Sequence, residues 1–212
     1  MRLAIFGATG GIGRHVLAQA IAAGHEVAVL VRDPGKLTSV AADVRVVSGD
    51  ITRREDVAAA ISGCEAVISA LGPTADDAGQ VGVFREWAHH LVACMQATGP
   101  PRLVLLSGAA VDVPGERKAV SDRIASMAVR LLAKHVVAAK QAEFDVIHGS
   151  LLDWIAARPP RVVDGPATGH IAAGLDLRLG PRSRISQPDL ATFLLRQTTD
   201  DTWLRQAPFV TS

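Results

Sequence analysis

The sequence predicts an α/β fold built on a doubly wound parallel sheet. Three observations support this: short apolar runs recur along the chain, helical patterns separate them, and a glycine-rich turn joins the first run to the first helical pattern. The apolar runs do not alternate with polar residues, which is typical of parallel strands covered on both faces. Because 49% of the 212 residues are hydrophobic and the composition does not change along the chain, we expect one domain, residues 1–212.

The predicted elements alternate between strand and helix. The strands lie at 2–6, 26–31, 44–48, 65–69, 102–106 and 152–157, and the helices at 11–23, 53–61, 80–97 and 120–148. Crossover connections between parallel strands are almost always right-handed. This order therefore predicts a Rossmann fold.

Residues 151–212 depart from this alternation after the sixth strand. Four prolines lie between 159 and 181, and four glycines between 165 and 180. This composition predicts a loop and a hairpin that close over the substrate side as a small lid. Ser186, Pro188 and Asp189 then predict the start of a last helix, 188–198, because serine caps helices and proline fits the first turn.

The most informative local feature is GATGGIG at residues 7–13, directly behind the first apolar run. A strand that breaks into glycines and continues as a helix is typical of dinucleotide sites, although a tight turn that binds nothing is the alternative. Gly7 permits the sharp turn, Gly10 lets a pyrophosphate approach the backbone, and Gly13 lets the helix pack on the sheet. Free amides at the helix N-terminus attract the phosphates. The predicted pyrophosphate-binding residues are Gly7, Thr9, Gly10, Gly11, Ile12 and Gly13.

Charge and composition exclude several classes of partner. A net charge of +1 gives no electrostatic reason to expect nucleic acid or an anionic membrane as a partner. The apolar runs end before the ~20 residues of a membrane span, and no signal peptide fits ahead of the first strand. Cys64 and Cys94 suit reduced thiols, so we expect a cytoplasmic protein, a monomer or dimer, that acts on a small molecule. His89 and His90 are adjacent on a predicted helix and point apart, so no metal site is expected.

Further segments carry a family resemblance across nearly the whole chain. In order, they are Val29–Asp33, Gly49–Asp50, Ser69–Gly72, Arg158–Arg161, Asp164–Pro166 and Ile185–Ala191. With GATGGIG they make the sequence resemble an atypical short-chain dehydrogenase/reductase. It is most similar to the NAD(P)H-binding proteins around biliverdin-IXβ reductase/flavin reductase, with NmrA-like regulators and sugar epimerases as more distant relatives. The C-terminal segments are the more specific ones.

The resemblance implies further cofactor contacts. Asp50 would accept a hydrogen bond from the adenine amino group, with Ile51 packed on the ring. Asp50 could also cap helix 53–61, and the two roles are compatible. Beyond the fourth strand, a small backbone would let the ribose lie close. The residues at that place are Ala70, Leu71 and Gly72.

The chemistry that the resemblance implies is limited by a missing residue. The main branch of the superfamily uses a tyrosine activated by a lysine four residues later, and this chain contains no tyrosine. Lys140 lies where that lysine would be, but Val136 takes the tyrosine position, so Lys140 is expected to be a helix-face charge or a ribose contact. Without a positioned acid, hydride transfer is favoured to acceptors that take a proton from solvent. Flavins, quinones and linear tetrapyrroles are such acceptors.

Ser107 and Arg161 are the two residues predicted to act in catalysis. The resemblance places Ser107, at the end of the fifth strand, against the nicotinamide; its alternative role is to cap its own turn. The branch tends to carry a histidine where this chain has Arg161. A guanidinium holds a carboxylate or phosphate but donates no proton near neutral pH, so an acidic acceptor is favoured. A surface salt bridge is the alternative for Arg161.

The end of the second strand predicts which cofactor is preferred. An acid there accepts from the 2′-hydroxyl of NAD, whereas an arginine pairs with the 2′-phosphate of NADP. Arg32 favours NADP, and Asp33 is the competing candidate that keeps NAD possible. The sequence therefore predicts an NADPH-dependent reductase of a conjugated small molecule. The alternative is a non-catalytic NAD(P)-sensing regulator of the NmrA-like type.

Overall fold

The computed structural model describes residues 1–37, 44–116 and 131–212, and its centre is a parallel sheet. The strands are β1 (Arg2–Phe6), β2 (Glu26–Val31), β3 (Val44–Ser48), β4 (Ala66–Ser69), β5 (Arg102–Leu106) and β6 (Asp153–Ala157). They lie side by side in the order β3-β2-β1-β4-β5-β6, and all neighbours are parallel. This is the Rossmann order, so the predicted doubly wound fold is confirmed.

Five helices are described around this sheet. They are α1 (Gly11–Ala22), α2 (Arg54–Ile61), α3 (Gly79–Thr98), α4 (Lys134–His148) and α5 (Gln187–Arg196). The predicted helix 120–148 is confirmed over 134–148, and residues 120–130 lie outside the described residues. Other predicted bounds agree within one or two residues. In the described part of the chain, no helix is both long and apolar enough to cross a membrane.

The sheet separates two hydrophobic clusters, because successive side chains of a strand point to opposite faces. Phe6 belongs to the cluster under α2, α3 and α4, where its ring centroid lies 4.6 Å from that of Trp87. Ile5 belongs to the opposite cluster, with Val16 of α1 and Leu190 of α5. Five of the six strands therefore bury both of their faces, which explains why their apolar runs do not alternate with polar residues. The exception is the edge strand β3, where Arg45, Val46 and Ser48 are exposed.

The predicted hairpin in the lid is wrong. Val162–Val163 (β7) pairs in parallel with Ile185–Ser186 (β9), and Ala172–Gly174 (β8) pairs antiparallel with Phe209–Thr211 (β10). Each segment is two or three residues long and is joined to its partner by a connection much longer than the two to five residues of a hairpin loop. The lid is thus tied together by segments distant in sequence.

Asp189 fixes this lid to the start of α5. Ser186 caps the helix as predicted, since its Oγ accepts from the Asp189 amide at 3.2 Å. The Asp189 carboxylate accepts in turn from the Thr168 amide at 2.9 Å, the Thr168 hydroxyl at 2.8 Å and the Gly169 amide at 3.1 Å. The cap of α5 and the Thr168 loop therefore depend on one buried carboxylate.

The outer edge of β6 is covered by the segment that precedes β10. Ala156 donates its amide hydrogen to the Gln206 carbonyl at 3.0 Å, and Arg158 donates to the Pro208 carbonyl at 2.9 Å. This segment runs parallel to β6. It satisfies backbone groups that an open sheet edge would leave unpaired.

Candidate functional site

The residues predicted to form the site all follow the carboxyl ends of strands. Because the carboxyl ends of parallel strands lie at the same edge of the sheet, the fold gathers these residues there. The edge contains the switch point between β1 and β4, where the strand order reverses direction. The residues are the turn Gly7–Gly13 after β1, Arg32 after β2, Asp50 and Ile51 after β3, Ala70–Gly72 after β4, Ser107 after β5 and Arg161 beyond β6.

The glycine turn leaves no room for side chains at two of its positions. Gly7 has φ of 82°, in the left-handed region, and a Cβ there would lie 2.8 Å from the Ala70 carbonyl oxygen. A Cβ on Gly13 would lie 1.9 Å from the Gly7 carbonyl oxygen. Gly10 is exposed, and a Cβ there would meet only the Gly7 oxygen, at 3.3 Å. Gly7 and Gly13 therefore serve packing, whereas Gly10 faces open space.

Helix α1 begins with backbone donors that have no partner in the part of the chain that the structure describes. Its first hydrogen bond runs from the Arg14 amide to the Gly10 carbonyl at 3.0 Å, so the amides of Gly11, Ile12 and Gly13 lie ahead of the helical ladder. Within residues 1–37, no side chain caps this helix and its first turn contains no acidic residue. Thr9 is half-buried in the turn. This helix end fits an anion, because its dipole and its amides both favour negative charge.

Arg32 and Asp33 differ in how free they are to bind a ligand. The Asp33 carboxylate accepts from the Gly35 amide at 3.0 Å and caps the short 3-10 turn Pro34–Lys36. The Arg32 side chain is exposed. It lies close enough to Asp50 for its charge to help lower the pKa of that carboxyl. The arginine thus faces the predicted adenosine side of the edge.

Asp50 does not cap α2, so that alternative is wrong. The N-cap of α2 is Arg53, and Asp50 Oδ1 instead accepts from the Thr52 amide at 2.9 Å and the Thr52 hydroxyl at 2.8 Å. The helix starts too far along the chain for Asp50, which forms a local turn of the Asx kind. The hydrogen bond from the Thr52 amide is the largest cause that holds the pKa of Asp50 below its usual value. Asp50 is therefore a carboxylate acceptor at neutral pH, and the half-buried Ile51 packs beside it against the core.

Lys140 is not a helix-face charge. Its ammonium is buried, donates to the Leu71 carbonyl at 3.1 Å and forms an ion pair with Glu143. Glu143 is 0% exposed, and its Oε1 accepts from the Trp87 indole at 3.0 Å. Burial raises the pKa of Glu143, and the Lys140 charge opposes that shift. Sequence reasoning missed Glu143, although an acid three residues after a lysine on a helix is a pairing signal.

Ser107 carries a buried hydroxyl without a partner. Its amide donates to the Ala157 carbonyl at 2.8 Å, but its Oγ makes no hydrogen bond with any described residue. The structure therefore gives no support to the turn-capping alternative. Ser69 Oγ, at the end of the neighbouring strand β4, is also buried and unpaired within the described residues. Unsatisfied buried hydroxyls are costly, so a ligand at this edge that hydrogen-bonds to them would relieve that cost.

Arg161 lines a basic concavity whose lining includes none of the other predicted residues. This concavity has a volume of about 530 Å³ and is lined by the C-terminal segment alone, including His170, Arg182 and Arg184. Among the described side chains, none forms a salt bridge with Arg161. The salt-bridge alternative is therefore not observed. Two residues before Arg161, the Pro159 carbonyl accepts at 3.0 Å from the amide of Ala109, which is two residues after Ser107.

Arg158, in the same segment, has a structural role that the sequence did not reveal. It is 1% exposed, donates to both oxygens of Glu116 and lies with its guanidinium carbon 4.0 Å from the centroid of the Phe209 ring. This contact links the loop after β5 to β6 and β10. A buried charge next to paired prolines gives no local pattern by which it could have been identified.

Metal ligands and cysteines do not point to a second site among the described residues. They contain no group of three or more His, Cys, Asp or Glu side chains that could hold a metal ion. Cys64 and Cys94 are free thiols, and burial raises the pKa of Cys64. The sheet edge is thus the principal candidate site.

Known structures share this architecture over their whole length. A protein from Burkholderia pseudomallei, suggested to be exported, is 27% identical, with 100% of both chains covered and a TM-score of 0.76. ChuY, an anaerobilin reductase from Escherichia coli O157:H7, is 21% identical, covers 99% of this chain and 96% of its own, and has a TM-score of 0.81. A protein from Streptococcus pneumoniae TIGR4, suggested to be an NADH-flavin reductase, is 20% identical, with coverage of 100% and 99% and a TM-score of 0.74.

A family match agrees with the geometry of the edge. The sequence profile described as NAD(P)H-binding matches residues 7–201, which include every predicted site residue. The match begins at Gly7, the first residue of the turn that leads into the free amides of α1. The fold, the glycine turn and this match together show that the chain belongs to the NAD(P)H-binding family.

Proposed function

We propose that the protein is an NADPH-dependent reductase that transfers hydride to a conjugated small molecule. The observation that carries the proposal is the buried Ser107 hydroxyl, which has no hydrogen-bond partner among the described residues and lies at the same sheet edge as the N-terminal amides of α1. A protein that only sensed the adenosine half of a cofactor would have no need for an unsatisfied hydroxyl beyond β5. A buried hydroxyl without a hydrogen bond destabilises the fold, so most buried polar groups are paired.

The proposed cofactor position follows the edge from β3 to β5. The pyrophosphate lies on the amides of the glycine turn, the adenine beside Asp50 and Ile51, and the 2′-phosphate beside Arg32. The nicotinamide half then lies over β4 and β5. Its neighbours are Ala70, Leu71, Gly72 and Ser107.

NADP is proposed over NAD because of the contrast at the end of β2. Asp33, the candidate partner for the 2′-hydroxyl of NAD, already accepts from the Gly35 amide through Oδ1, which holds its side chain in the turn that follows β2. Arg32 is exposed and next to the adenine-side residue Asp50. A planar guanidinium suits a phosphate through paired hydrogen bonds.

The acceptor is proposed to be planar, conjugated and acidic. Arg161, Arg182 and Arg184 surround the concavity and would favour a flavin phosphate or the propionates of a linear tetrapyrrole. The names of two structural neighbours, an anaerobilin reductase and a suggested NADH-flavin reductase, agree with acceptors of this class. We therefore propose that Arg161 selects acceptors with an acidic group, which would bind in the basic concavity.

The proposed catalysis depends on orientation. A bound NADPH supplies the hydride, while this chain holds the reactants: Ser107 orients the cofactor amide or the acceptor, and Arg161 holds an acidic group. Neither side chain supplies an essential proton, since the chain contains no tyrosine and Lys140 is committed to Glu143. Proximity and orientation can contribute roughly 7–11 kcal/mol in favourable cases. The acceptor takes its proton from solvent.

The second candidate is a non-catalytic NAD(P)-sensing regulator. It is favoured by the commitment of Lys140 to a buried pair, which removes the remaining strong base from the edge. Under either function we expect a small-molecule ligand and a cytoplasmic monomer or dimer.

Turnover distinguishes the two candidates. The purified protein is incubated with NADPH and FMN, and then with a panel of quinones, while absorbance at the nicotinamide band is followed. The reductase oxidises NADPH only when an acceptor is present. Stable NADPH binding without oxidation by any acceptor would instead favour the sensor.

A further inference from the structure

We infer that Lys140 and Glu143 are positioning residues that set the Leu71–Gly72 peptide, so that the Gly72 amide is presented to the nicotinamide-side ribose. This inference rests on the proposed function and adds a role that no local sequence pattern revealed. It concerns the pair formed by Lys140 and Glu143 on α4 and the peptide that follows β4.

The geometry joins three elements at one point. Lys140 Nζ donates to the Leu71 carbonyl at 3.1 Å, pairs with Glu143, and lies 5.4 Å from the centroid of the Phe84 ring. Glu143 is held from its other side by the Trp87 indole at 3.0 Å. Lys140 of α4 therefore holds the Leu71 carbonyl at the sheet edge, and side chains of α3 hold the Lys140–Glu143 pair in place.

The orientation of that carbonyl fixes the next amide. In a planar trans peptide the N–H points opposite to the C=O. Since the Leu71 carbonyl points toward Lys140, the Gly72 N–H points away from α4, toward open space. Gly72 is exposed, a Cβ there would meet nothing within 4 Å, and its amide makes no hydrogen bond within the described part of the chain.

The position of this peptide matches the proposed cofactor site. The preceding residue, Ala70, donates its amide to the Phe6 carbonyl at 2.9 Å and packs its own carbonyl against Gly7. The Leu71–Gly72 peptide is therefore next to the glycine turn, at the switch point. A donor there lies on the nicotinamide side of a pyrophosphate bound to α1.

The cost of the pair supports a functional reason for it. Burying an ion pair costs desolvation free energy, and apolar residues of similar size often stabilise a protein as well or better. The inward positions next to the pair on α4 follow that rule and are apolar: Ala139, Phe144 and Ile147. Lys140 and Glu143 are the charged exceptions among these inward positions, and Lys140 is the one that contacts the peptide at the proposed cofactor site.

The test separates the two halves of the cofactor. Dissociation constants are measured for NADPH and for 2′,5′-ADP, which reaches only the adenosine side. The proteins are wild type, Glu143→Gln, and the double variant Lys140→Met/Glu143→Leu, whose apolar pair keeps the core filled. Glu86→Gln, an exposed acid on α3, is the matched control.

We expect NADPH affinity to fall about tenfold in both variants, comparable to the loss of one hydrogen bond, while 2′,5′-ADP affinity stays unchanged. Thermal unfolding without ligand shows that the double variant is folded. Equal loss of both ligands, or unchanged NADPH affinity, overturns the inference. A loss in the double variant alone, with Glu143→Gln like wild type, overturns it in favour of direct ribose contact by Lys140. If wild type binds neither ligand, the proposed function fails together with the inference.

Discussion

The Gly7 carbonyl oxygen lies 1.9 Å from the point that a Cβ on Gly13 would occupy. Real Cβ atoms do not approach an oxygen so closely, so α1 can pack on the turn only if residue 13 is glycine. Gly10 has no such constraint, because its only neighbour at that range is the same oxygen at 3.3 Å. Within one motif, glycine at position 13 is therefore needed for the turn to fold, whereas glycine at position 10 leaves space for the phosphates to bind.

We expect Gly10→Val to fold but to lose its response to NADPH. Ligand binding to the native state raises the unfolding temperature, and a branched side chain in the phosphate volume abolishes that binding. Thermal unfolding with and without NADPH measures the effect. Gly13→Ala is the contrasting variant, destabilised without ligand by at least about 2 kcal/mol through overpacking. A normal NADPH shift in Gly10→Val would contradict the proposed pyrophosphate position.

Arg32→Ala should weaken NADPH and leave NADH unchanged. A hydrogen bond to a charged group contributes about 1.5–3 kcal/mol, so the dissociation constant for NADPH should rise roughly 10- to 100-fold. Both constants are measured by titration. Arg196→Ala is the control, because this exposed arginine at the end of α5 pairs with Asp200, beyond the helix and away from the strands' carboxyl ends. Equal affinity of wild type for NADH and NADPH would refute the NADP assignment.

Ser107→Ala should lower kcat by about tenfold without loss of stability. The hydroxyl has no partner in the described structure, so its removal relieves an unsatisfied group, whereas a reactant loses an orienting contact. Steady-state kinetics and thermal unfolding are measured on the same samples. A fall in kcat of more than about a thousandfold, with acceptor binding intact, would reveal an essential acid or base.

Arg161→Ala should raise KM for anionic acceptors and spare neutral quinones. A guanidinium that only binds the acceptor contributes to KM and leaves kcat nearly unchanged. The comparison requires KM and kcat for FMN and for an uncharged quinone, with Arg196→Ala again as the control. An equal rise in KM for both acceptors would show that Arg161 does not recognise the acidic group.

The contribution of Asp189 to stability should depend on pH. Burial raises the pKa of Asp189, but hydrogen bonds from Thr168, Ser186 and Gly169 outweigh it, and the pKa lies below the usual value of 3.8. A group with a lowered folded-state pKa stabilises the protein above its unfolded-state value, and this stability is lost as pH falls through the folded-state value.

We therefore expect Asp189→Asn to lower the free energy of unfolding at pH 7 by about 2–3 kcal/mol. The difference from wild type should shrink as pH falls below 3.8. Denaturant unfolding between pH 3 and pH 7 measures it, and Asp176→Asn, an exposed acid in the same lid, is the control. A difference that stays constant over this range would mean that the carboxylate charge does not hold the Thr168 loop.

The central sheet could be predicted because its information is local. In β1, β2 and β5, every residue after the charged first one is apolar, and a glycine or a proline marks the chain near an end of each strand. The lid was harder, because β7 and β8 are two and three residues long and their partners lie beyond several prolines and glycines. Pairing over such distances leaves no periodic pattern in the sequence.

For the candidate site, the sequence could predict where residues lie along the fold. The glycine turn leads from β1 into α1, and Arg32 follows β2 with an exposed side chain. The ligand that these residues bind stays a prediction. The helix-face alternative for Lys140 was wrong because the exposure of a helical residue depends on what packs against it, here Phe84 of α3, while the ribose contact stays a prediction. Likewise, the N-cap alternative for Asp50 was wrong because α2 starts at Arg54, and the side chain turns back to Thr52 instead.

The packing of α5 on α1 has a consequence for folding during synthesis. Gln19 of α1 donates to the Pro188 carbonyl at 2.9 Å, across 169 residues, and Val16 shares its cluster with Leu190. While the chain is still being translated, the βαβ unit that begins with β1 therefore has no cover for the outer face of α1. That face stays open to chaperones and to other nascent chains until α5 has left the ribosome.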